Sequence, residues 1–500
     1  MFPPTSGSLD HLSRTAFLNR SGFGLGGVAL ASLLKEASQA SAETSELGRG
    51  TNITQQNRES LKQGLHFPPR AKQIIFLFMA GAPSQLDLFD YKPKLNALGG
   101  KTADPTELGD ERFRQLRPRN PHRKPTLLAT PYRFQQHGNS GAWVSELLPN
   151  LSGVVDEIAF LKSMHTDPQL IDHPFAQLKL MTGTQIEGRP SLGAWLSYAL
   201  GSENENLPSF IALMSGLFPR GGPGILSSGF LPSSHQGVPL RSEGDPILFL
   251  SNPGGMSQET RRRTVDVVKS LNEIHRGYIG DPEISSRIAA YEMACRMQTS
   301  ASEVVDISRE PRHIHELYGA EPGKTSFANN CLMARRLIEK GVRMVQLVDL
   351  DWDHHGDTQK RDLMDALPNQ CRSVDKAVAG LLRDLRQRSL LDETLVVWAA
   401  EFGRTPIRED RGSAKYIGRD HHPFAATFWM AGGGVRSGIT YGATDELGFQ
   451  AAEKPMHIHD LQATILHLMG INHEKLTFRL QGREFRLTDV GGNVVTEILS

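Results

Sequence analysis

The stretch from residue 342 to residue 434 constrains the fold most, because strand-like and helical patterns alternate along it. The apolar runs VRMVQLVDL and TLVVWAA have the length and composition of buried strands, and residues 373–388 between them have helical spacing. A strand, a helix and a strand in this order favour a right-handed crossover between parallel strands. The run FAATFWMAG adds a further strand. We therefore predict an α/β fold with a central, mostly parallel sheet flanked by helices.

Acidic residues and histidines cluster beside each of these three strands. WDHHGD follows the first strand, EFGRTP follows the second, and GRDHHP precedes the third. Ligands of open α/β sheets bind outside the carboxyl ends of the strands, so we expect the clusters to meet in one crevice. Imidazole nitrogen and carboxylate oxygen are ligands of zinc and similar cations. The side chains expected to converge are Asp351, Asp353, His354, His355, Glu401, Asp420, His421 and His422.

Spacing leaves several assignments open within these clusters. Asp353 and His355 are two residues apart and share one face if the strand continues to that point, whereas pairing Asp351 with His355 requires a turn. Arg404 follows Glu401 closely and is predicted to hold an anionic substrate through paired hydrogen bonds. The alternative is a structural ion pair between Glu401 and Arg404 at the end of the strand.

Two earlier strands also lead into polar segments. The run QIIFLFM at residues 73–79 ends in a Gly-Pro-Ser turn, after which Ser84 and Asp87 either join the site or act as a helix N-cap and a first-turn carboxylate. A predicted strand at residues 157–164 leads to His165 and His173, whose proximity to carboxylates favours a site. The Gly-, Pro- and Ser-rich stretch 216–258 is long for a loop, so it is predicted to be functional or to wrap another chain.

Overall charge and cysteine usage exclude several function classes. The chain has 55 basic and 55 acidic residues and no block of like charge, which argues against nucleic acid as a partner. Its three cysteines, Cys295, Cys331 and Cys371, form no CxxC pair, so neither a thiolate zinc site nor a disulfide framework is expected.

The N-terminal residues have the parts of an export signal. A charged segment with SRTAFL, a short apolar run at 22–34 and the ASA site at 40–42 predict a signal peptide over residues 1–42. SRTAFL resembles the twin-arginine signal S-R-R-x-F-L, with Thr15 in place of the second arginine. The alternative is an amphipathic helix of the mature protein. We expect an exported protein, periplasmic or extracellular, with no stable transmembrane anchor after processing, because the run is too short to span a bilayer.

The remaining organisation is simple. Residues 43–70 are polar and without periodicity, and are predicted to form a linker. Residues 71–500 are predicted to form a single α/β domain, with a helical insertion at about 259–325.

Motifs along nearly the whole chain resemble those of the exported domain of unknown function 1501 family. The segments that carry the resemblance are FLFMAGAPSQLDLFD, SMHTD, TGTQIEGRPSLGAWLSY, WDHHG, AAEFGRTP, GRDHH, DLQATILHLMGI and REFRLTDVGG. The family is similar to alkaline phosphatases and sulfatases. The resemblance implies an alkaline-phosphatase-like central sheet with flanking helices, loop and helical insertions, and a site for a divalent metal, zinc in the first place and calcium or manganese otherwise.

The resemblance also implies roles for individual residues. TLVVWAAEFG is similar to the sulfatase strand that ends in Asp-His-Gly, which puts Glu401 in the Asp role, and GRDHH supplies the downstream histidine as His421. WDHHG is similar to the family's Asp and His ligand element. The implied metal ligands are Asp353, His355, Glu401 and His421, with Ser84, Asp87, His165, Asp351, Asp420 and His422 as additional candidates.

The nucleophile position departs from the sulfatase pattern. Sulfatases carry Cys or Ser nine residues before a Thr-Gly, and nine residues before Thr182 is His173. A covalent intermediate of the usual kind is therefore not expected. His173 is predicted to act as a nucleophile or a further ligand, or else a metal-bound water replaces the nucleophile.

Three functions fit this sequence. The first is a metal-dependent hydrolase of sulfate or phosphate esters, including sulfated or phosphorylated glycans. The second is a catalytically degenerate exported protein that binds a polysaccharide or a surface partner without turnover. The third is a hydrolase of another bond, such as an amide, with Arg404 holding an anionic group. The retained acidic and histidine clusters favour the first, and the missing nucleophile favours the second.

Overall fold

The computed structural model describes residues 65–103, 125–241, 257–279, 303–409, 411 and 415–500, and positions 286, 288, 292, 293, 296 and 297. The predicted signal peptide, the linker as far as residue 64 and, within the predicted insertion, most of residues 280–302 lie outside the described residues. The chain from Leu61 to Ser500 forms one compact unit. No helix in the described part of the chain has the length and apolar character needed to cross a membrane.

Helices and strands alternate along the described chain. The helices are α1 (Gln85–Leu88), α2 (Pro93–Leu98), α3 (His173–Thr182), α4 (Leu192–Leu200), α5 (Gln258–Ile279), α6 (Arg312–Tyr318), α7 (Phe327–Glu339), α8 (Ala366–Gln387) and α9 (Ile458–Leu468). Short 3₁₀ segments occur at Leu151–Glu157, Gly222–Leu226, Ser233–His235, Ile307–Arg309, Gln359–Arg361 and Thr496–Ile498. The strands are β1 (Gln73–Met79), β2 (Phe134–His137), β3 (Ala142–Ser145), β4 (Ile158–His165), β5 (Phe210–Met214), β6 (Val238–Arg241), β7 (Met344–Asp349), β8 (Thr394–Ala399), β9 (Gly403–Arg408), β10 (Arg419–His422), β11 (Ala426–Ala431), β12 (Ile439–Tyr441), β13 (Ala443–Thr444), β14 (Ala451–Glu453), β15 (Met456–His457), β16 (Phe478–Leu480) and β17 (Arg483–Phe485).

The central sheet has nine strands and is mostly parallel, which confirms the predicted fold class. Its order is β12-β4-β11-β8-β1-β7-β5-β6, with β15 also paired to β4. β1 lies between β7 and β8 and is parallel to both, so the predicted crossover joins two strands that are separated by a third. Within the described sheet, β11 alone is antiparallel to its neighbours β4 and β8.

The two faces of the sheet are each covered by helices. Along β1, Ile75, Leu77 and Met79 belong to the core formed with α7 and α8. The alternate residues Ile74, Phe76 and Phe78 belong to the core formed with α3, α4 and α9. A strand that is buried on both faces is continuously apolar, because side chains of alternate residues point to opposite faces. Each such side chain stabilises the fold by roughly 1.5–3 kcal/mol relative to an exposed one.

The direction of β11 explains why clusters that follow two strands and precede a third lie together. The loops after β7 and β8 leave the carboxyl edge of the sheet, and β4 ends at the same edge. Because β11 runs the opposite way, the residues before it lie at that edge too. Those residues form β10, which pairs with β9 and sets His421 opposite Arg404. The carboxyl edge therefore gathers side chains from four separate segments of the chain.

Candidate metal centre

Three imidazole rings converge on one carboxylate oxygen at the carboxyl edge of the sheet. Nε2 of His173 lies 3.1 Å from Asp353 Oδ1, Nε2 of His355 lies 2.7 Å from it, and Nε2 of His421 lies 3.2 Å from it. The four residues each offer one ligand atom, and these atoms lie within 4.8 Å of one another. His173 comes from the first turn of α3, His355 and Asp353 from the loop after β7, and His421 from β10.

The opposite nitrogen of each ring contacts a hydrogen-bond acceptor. Nδ1 of His173 lies 2.6 Å from Glu401 Oε1, and Nδ1 of His421 contacts the carbonyl oxygen of Ile171. Nδ1 of His355 contacts Glu409 Oε2. A ring that donates from Nδ1 keeps a lone pair on Nε2, and such outer partners are what fix the tautomer of metal-binding histidines.

His355 has a second neighbour on the same nitrogen. Arg411 NH2 lies 2.9 Å from Nδ1 of His355, and Arg411 also pairs with Glu409 through its Nε. Burial, followed by the nearby Asp420 carboxylate, raises the pKa of Glu409 to about 7. The Glu409 side chain is thus enclosed between a histidine and an arginine behind the converging rings.

Charges around the four residues are strongly coupled. Burial disfavours the ionised form of Asp353, but the three histidine rings beside it and the charge of Arg404 hold its pKa well below the usual range. Burial lowers the pKa of His355 to about 2, and burial also lowers the pKa of His421. These two rings are therefore neutral near pH 7, as metal ligation requires.

His173 behaves differently from the other two rings. Burial opposes its protonation, yet the nearby carboxylates of Asp353 and Glu401 raise the pKa of His173. Its Nε2 lies near Asp353 Oδ1 without hydrogen-bond alignment, and this buried nitrogen has no other partner among the described residues. In the metal-free protein a proton on His173 offsets part of the carboxylate charge that a cation would otherwise neutralise.

This donor set fits a divalent metal ion. An ionised carboxylate and three imidazole nitrogens within 3.2 Å of one of its oxygens are held together either by imidazole protons or by a bound cation that replaces those protons. Three imidazole nitrogens and one carboxylate oxygen form a ligand set that zinc and related ions accept. The buried and unpartnered Nε2 of His173 is a group that such an ion would satisfy.

Glu401 lies behind His173 and is fully buried. Its Oε1 accepts hydrogen bonds from Gly81 N and from Gln177 Nε2, each at 2.9 Å, in addition to the contact with His173. The four residues that meet at Asp353 Oδ1 include His173 but not Glu401, which was assigned as a ligand from the sequence. Glu401 Oε2 is buried without a described partner. The assignment of Glu401 as a ligand stays a prediction.

The turn after β1 requires glycine at position 81. Gly81 has a φ angle of +110°, and a Cβ atom there would lie 2.8 Å from the backbone nitrogen of Asp353 and 2.9 Å from that of Trp352. Only a residue without Cβ allows this approach at low cost. Because Gly81 N donates to Glu401 Oε1, this close approach joins β1, the loop after β7 and the end of β8.

Arg404, the predicted anion-binding residue, is almost completely buried, with 1% of its side chain exposed. Its Nε donates to Ala82 O at 2.9 Å, and its NH1 donates to Arg419 O at 2.9 Å. NH2 contacts Asp353 Oδ1 at 2.6 Å and also the carbonyl oxygen of Gly81. Arg404 therefore holds three backbone segments and the Asp353 carboxylate together.

Ser84 and Asp87 belong to a separate buried group. Asp87 accepts hydrogen bonds from Arg419 Nε at 2.7 Å and NH2 at 3.1 Å, and from Ser84 Oγ at 2.5 Å. Ser84 occupies the N-cap position of α1, but its side chain binds Asp87 instead of a backbone N–H group. Both residues therefore make local structural contacts, and a role for either in the site stays a prediction.

Five other candidates are not among the four residues that meet at Asp353 Oδ1. His354 is buried, and its ring centroid lies 6.4 Å from that of Trp352. Asp420 is exposed and forms a second group with His355 and Glu409. Asp351 is exposed and has a φ angle of +70°. His422 is buried against Phe449, and His165 packs against His457 with ring centroids 5.2 Å apart.

Three residues near the site were missed in the sequence. Glu409 contacts His355, and Arg361 and Arg220 both contact Asp353 Oδ2. Arg220 lies at the start of the long Gly-rich stretch that was predicted to be functional. The composition and length of that stretch therefore indicated the loop, although not the residue. Glu409 is placed by the β9–β10 hairpin, whose pairing the sequence did not reveal.

Residues 71–499 match the family described as Protein of unknown function (DUF1501). No curated protein matches the chain by sequence. Among solved structures, the lipoteichoic acid synthase LtaP from Listeria monocytogenes is 9% identical over 87% of this chain and 80% of that chain, with a TM-score of 0.33. The PsFucS1 sulfatase from Pseudoalteromonas sp. is 13% identical over 89% and 76%, with a TM-score of 0.35. The alkaline phosphatase from the Antarctic bacterium TAB5 is 9% identical over 74% and 94%, with a TM-score of 0.28.

Proposed function

The chain belongs to the DUF1501 family, and from the geometry of its own residues we propose that it is a metal-dependent hydrolase of sulfate or phosphate esters. The observation that carries the proposal is the convergence of three histidine Nε2 atoms on Asp353 Oδ1 within 3.2 Å. A nitrogen-rich donor set favours zinc over manganese and calcium, which prefer oxygen ligands.

His173, His355, His421 and Asp353 would hold the ion. A bound divalent cation supplies a Lewis acid for the ester oxygens and lowers the pKa of a coordinated water. The chain itself supplies the orientation of the rings. Glu401 holds Nδ1 of His173, and Glu409 contacts Nδ1 of His355, so both rings present Nε2 to the same point. Arg404 keeps Asp353 ionised in its buried position.

His173 has one Nε2 lone pair and two candidate roles for it. The Glu401–His173 pair has the geometry of an oriented base or nucleophile, since a carboxylate on Nδ1 raises the basicity of Nε2. The same lone pair would ligate a metal ion. A three-ligand site of Asp353, His355 and His421 leaves His173 free to react, whereas a four-ligand site requires a metal-bound water as the nucleophile.

A second candidate function is binding without turnover at the same site. It is favoured by the histidine at the position where the resemblance implies a Ser or Cys nucleophile, because that histidine is enclosed in the convergent group. Such a protein would hold a polysaccharide or a surface partner. The sulfated or phosphorylated glycan of the first proposal and the binding target of the second share an anionic character, and turnover separates them.

The test combines metal analysis with a substrate screen on the purified mature chain. We expect bound zinc or manganese by elemental analysis, and turnover of an aryl sulfate, a phosphate monoester or a phosphodiester. His355→Ala should lose both the metal and the turnover, while the control His165→Ala should keep both. Metal without any turnover would favour the binding function. A protein with no affinity for zinc or manganese would refute both.

Export is part of the proposal and rests on the sequence of residues 1–42. We expect the mature chain to begin after the ASA site and to be found in the periplasm or outside the cell. Cell fractionation with N-terminal sequencing tests this. An uncleaved chain in the cytoplasmic fraction would refute it.

A further inference from the structure

We infer that Arg220 and Arg361 bind the anionic oxygens of the substrate and so select tetrahedral oxyanion esters. This inference rests on the proposed hydrolase function and adds the residues that recognise the substrate. The carrying observation is that both guanidinium groups contact Oδ2 of Asp353, the oxygen that faces away from the three histidines.

One carboxylate separates the two arginines from the metal centre. Asp353 Oδ1 faces the Nε2 atoms of the histidines, while Oδ2 is contacted by Arg361 NH2 and lies 3.4 Å from Arg220 NH2. The two oxygens of a carboxylate are about as far apart as two oxygens of a phosphate or sulfate group. An ester with one oxygen at the metal centre can therefore place a second oxygen against the arginines.

Arg220 has the exposure and the free donors that Arg404 lacks. The side chain of Arg220 is 60% exposed and that of Arg361 is 29% exposed, against 1% for Arg404. Within the described residues, the long contact with Asp353 Oδ2 is the one polar contact of the Arg220 guanidinium. The donors of Arg404 are used on backbone carbonyls and on Asp353, so its reorientation toward a substrate would leave buried carbonyls unpaired.

The backbone beside Arg220 is fixed to the centre itself. Gly221 N donates to Gln177 Oε1 at 2.6 Å, and Gln177 Nε2 donates to Glu401 Oε1 at 2.9 Å. Because Glu401 holds His173, the base of the Arg220 side chain is positioned by the same residue that positions a histidine of the metal centre. The exposed guanidinium group of Arg220 can change its rotamer, while the backbone beside it is held in place.

Arg361 is fixed more firmly than Arg220. Its Nε donates to the Asp353 carbonyl oxygen at 3.0 Å, and its NH1 donates to Asp357 Oδ2 at 2.8 Å. Its NH2 remains directed at the Asp353 carboxylate. Arg361 is thus a preorganised donor, and Arg220 is an adaptable one that completes the oxyanion contact.

Two arginines select the chemical class of the substrate. Guanidinium groups match the oxygens of phosphate and sulfate with paired, charge-assisted hydrogen bonds. An amide that reacts at the metal centre places no charge there for these groups to bind, and Arg404, to which its anionic group was assigned from the sequence, is buried. The pair therefore favours sulfate or phosphate monoesters over the amide substrates that the sequence left open.

The test is isothermal titration calorimetry of inorganic phosphate and inorganic sulfate against the metal-loaded full chain. Arg220→Ala should weaken anion binding about tenfold with metal content unchanged, since one charge-assisted hydrogen-bonding group is lost. Arg220→Lys should recover part of the affinity, because it restores the charge without the paired donors. Arg361→Ala should weaken anion binding at least as much. Because Arg361 contacts Asp353, its effect on the anion is direct only if the variant keeps its metal.

Two variants serve as matched controls. Leu217→Ala changes the same loop at an 83% exposed side chain, and Arg312→Ala removes a cation that is 92% exposed and paired with Glu316 on α6. Both should bind the anions like the wild type.

The failure of this inference is distinguishable from failure of the proposed function. Ester turnover by the wild type, with anion affinity and KM unchanged in metal-loaded Arg220→Ala, would overturn the inference and leave the function intact. If the wild type binds the anions without turning over esters, and Arg220→Ala binds them more weakly than the wild type, the inference is supported and the proposed function is refuted. If Arg312→Ala lost as much anion affinity as Arg220→Ala, the effect would come from the net charge of the protein, and the inference would be overturned. If Arg361→Ala loses its metal, the Arg220 variants decide.

Discussion

Asp87 and Asp353 are buried carboxylates at the same edge of the sheet, and their surroundings differ in one respect. Asp87 meets donors only: Arg419 provides two hydrogen bonds and Ser84 provides one. Asp353 Oδ1 meets one arginine and three imidazole nitrogens, two of which belong to rings with lowered pKa values. The first carboxylate is paired with a guanidinium that cannot lose its protons, while the second is surrounded mainly by imidazoles, which can give up a proton to a metal ion.

The difference separates a structural ion pair from a candidate metal site. A buried ion pair whose hydrogen bonds are all made has no capacity for a ligand. A carboxylate surrounded by imidazoles keeps that capacity, because a metal ion can take the place of the imidazole protons. From the sequence, Asp353 is an implied ligand and Asp87 an additional candidate, and the structure distinguishes them by the groups that surround each carboxylate.

Replacement of Arg419 should have the largest effect, because it removes the cation from the fully hydrogen-bonded carboxylate of Asp87. Arg419→Met leaves the Asp87 carboxylate buried without its cation, so we expect the free energy of unfolding to fall by about 3–5 kcal/mol. Urea denaturation of the metal-free protein measures it. The control Arg483→Met removes a surface partner of Asp489, and should cost at most about 1 kcal/mol. A loss in Arg419→Met as small as in the control would show that the two carboxylates are not different in kind.

A third buried carboxylate sharpens the comparison, because the side chains that hydrogen-bond to Asp349 in the described part of the chain are neither arginine nor histidine. It lies at the end of β7 and accepts hydrogen bonds from Gln370 Nε2 at 2.5 Å and Trp352 Nε1 at 2.9 Å. Burial outweighs these hydrogen bonds and raises the pKa of Asp349 to about 7. Asp349 thus takes up a proton where Asp87 has an arginine.

The sign of the resulting pH dependence follows from the raised pKa of Asp349. The folded protein holds a proton that the unfolded chain releases above about pH 4, so this stabilisation is complete below pH 4 and is lost as the pH rises through about 7. Between pH 5 and pH 8 the wild type should lose about 2 kcal/mol more stability than Asp349→Asn, which has no proton to release. Urea denaturation of both proteins at the two pH values measures the difference, and identical pH profiles would contradict it.

Glu401→Gln gives the smallest expected effect and tests the open side of the comparison. The substitution keeps the size of the side chain but removes the charge behind His173, so zinc affinity should fall about tenfold, or about 1.4 kcal/mol. Competition with a chelator measures the affinity. The control Glu393→Gln, at a half-exposed pair with Lys72, should bind zinc normally. A loss far beyond 100-fold would instead identify Glu401 as a ligand.

The architecture was predictable because buried parallel strands leave a strong local signal. The continuous apolar runs at β1, β7 and β8 are where the sequence indicated strands, and their mostly parallel arrangement is confirmed. The convergence of side chains at the carboxyl edge follows from that arrangement. Partner choice at this edge did not follow, because a hydrogen bond depends on distances of a few tenths of an ångström that spacing along the chain does not carry.

The sequence by itself determined the sheet, the edge at which the polar clusters meet and the residue types available there. Only the tertiary structure decided that His173 shares an oxygen with His355 and His421, that Arg404 is enclosed while Arg220 is exposed, and that Asp87 is paired with Arg419. The physical reason is the distance along the chain between the residues that interact. Strand patterns arise from neighbours within a few residues, whereas these contacts join segments up to 332 residues apart and depend on how the loops pack.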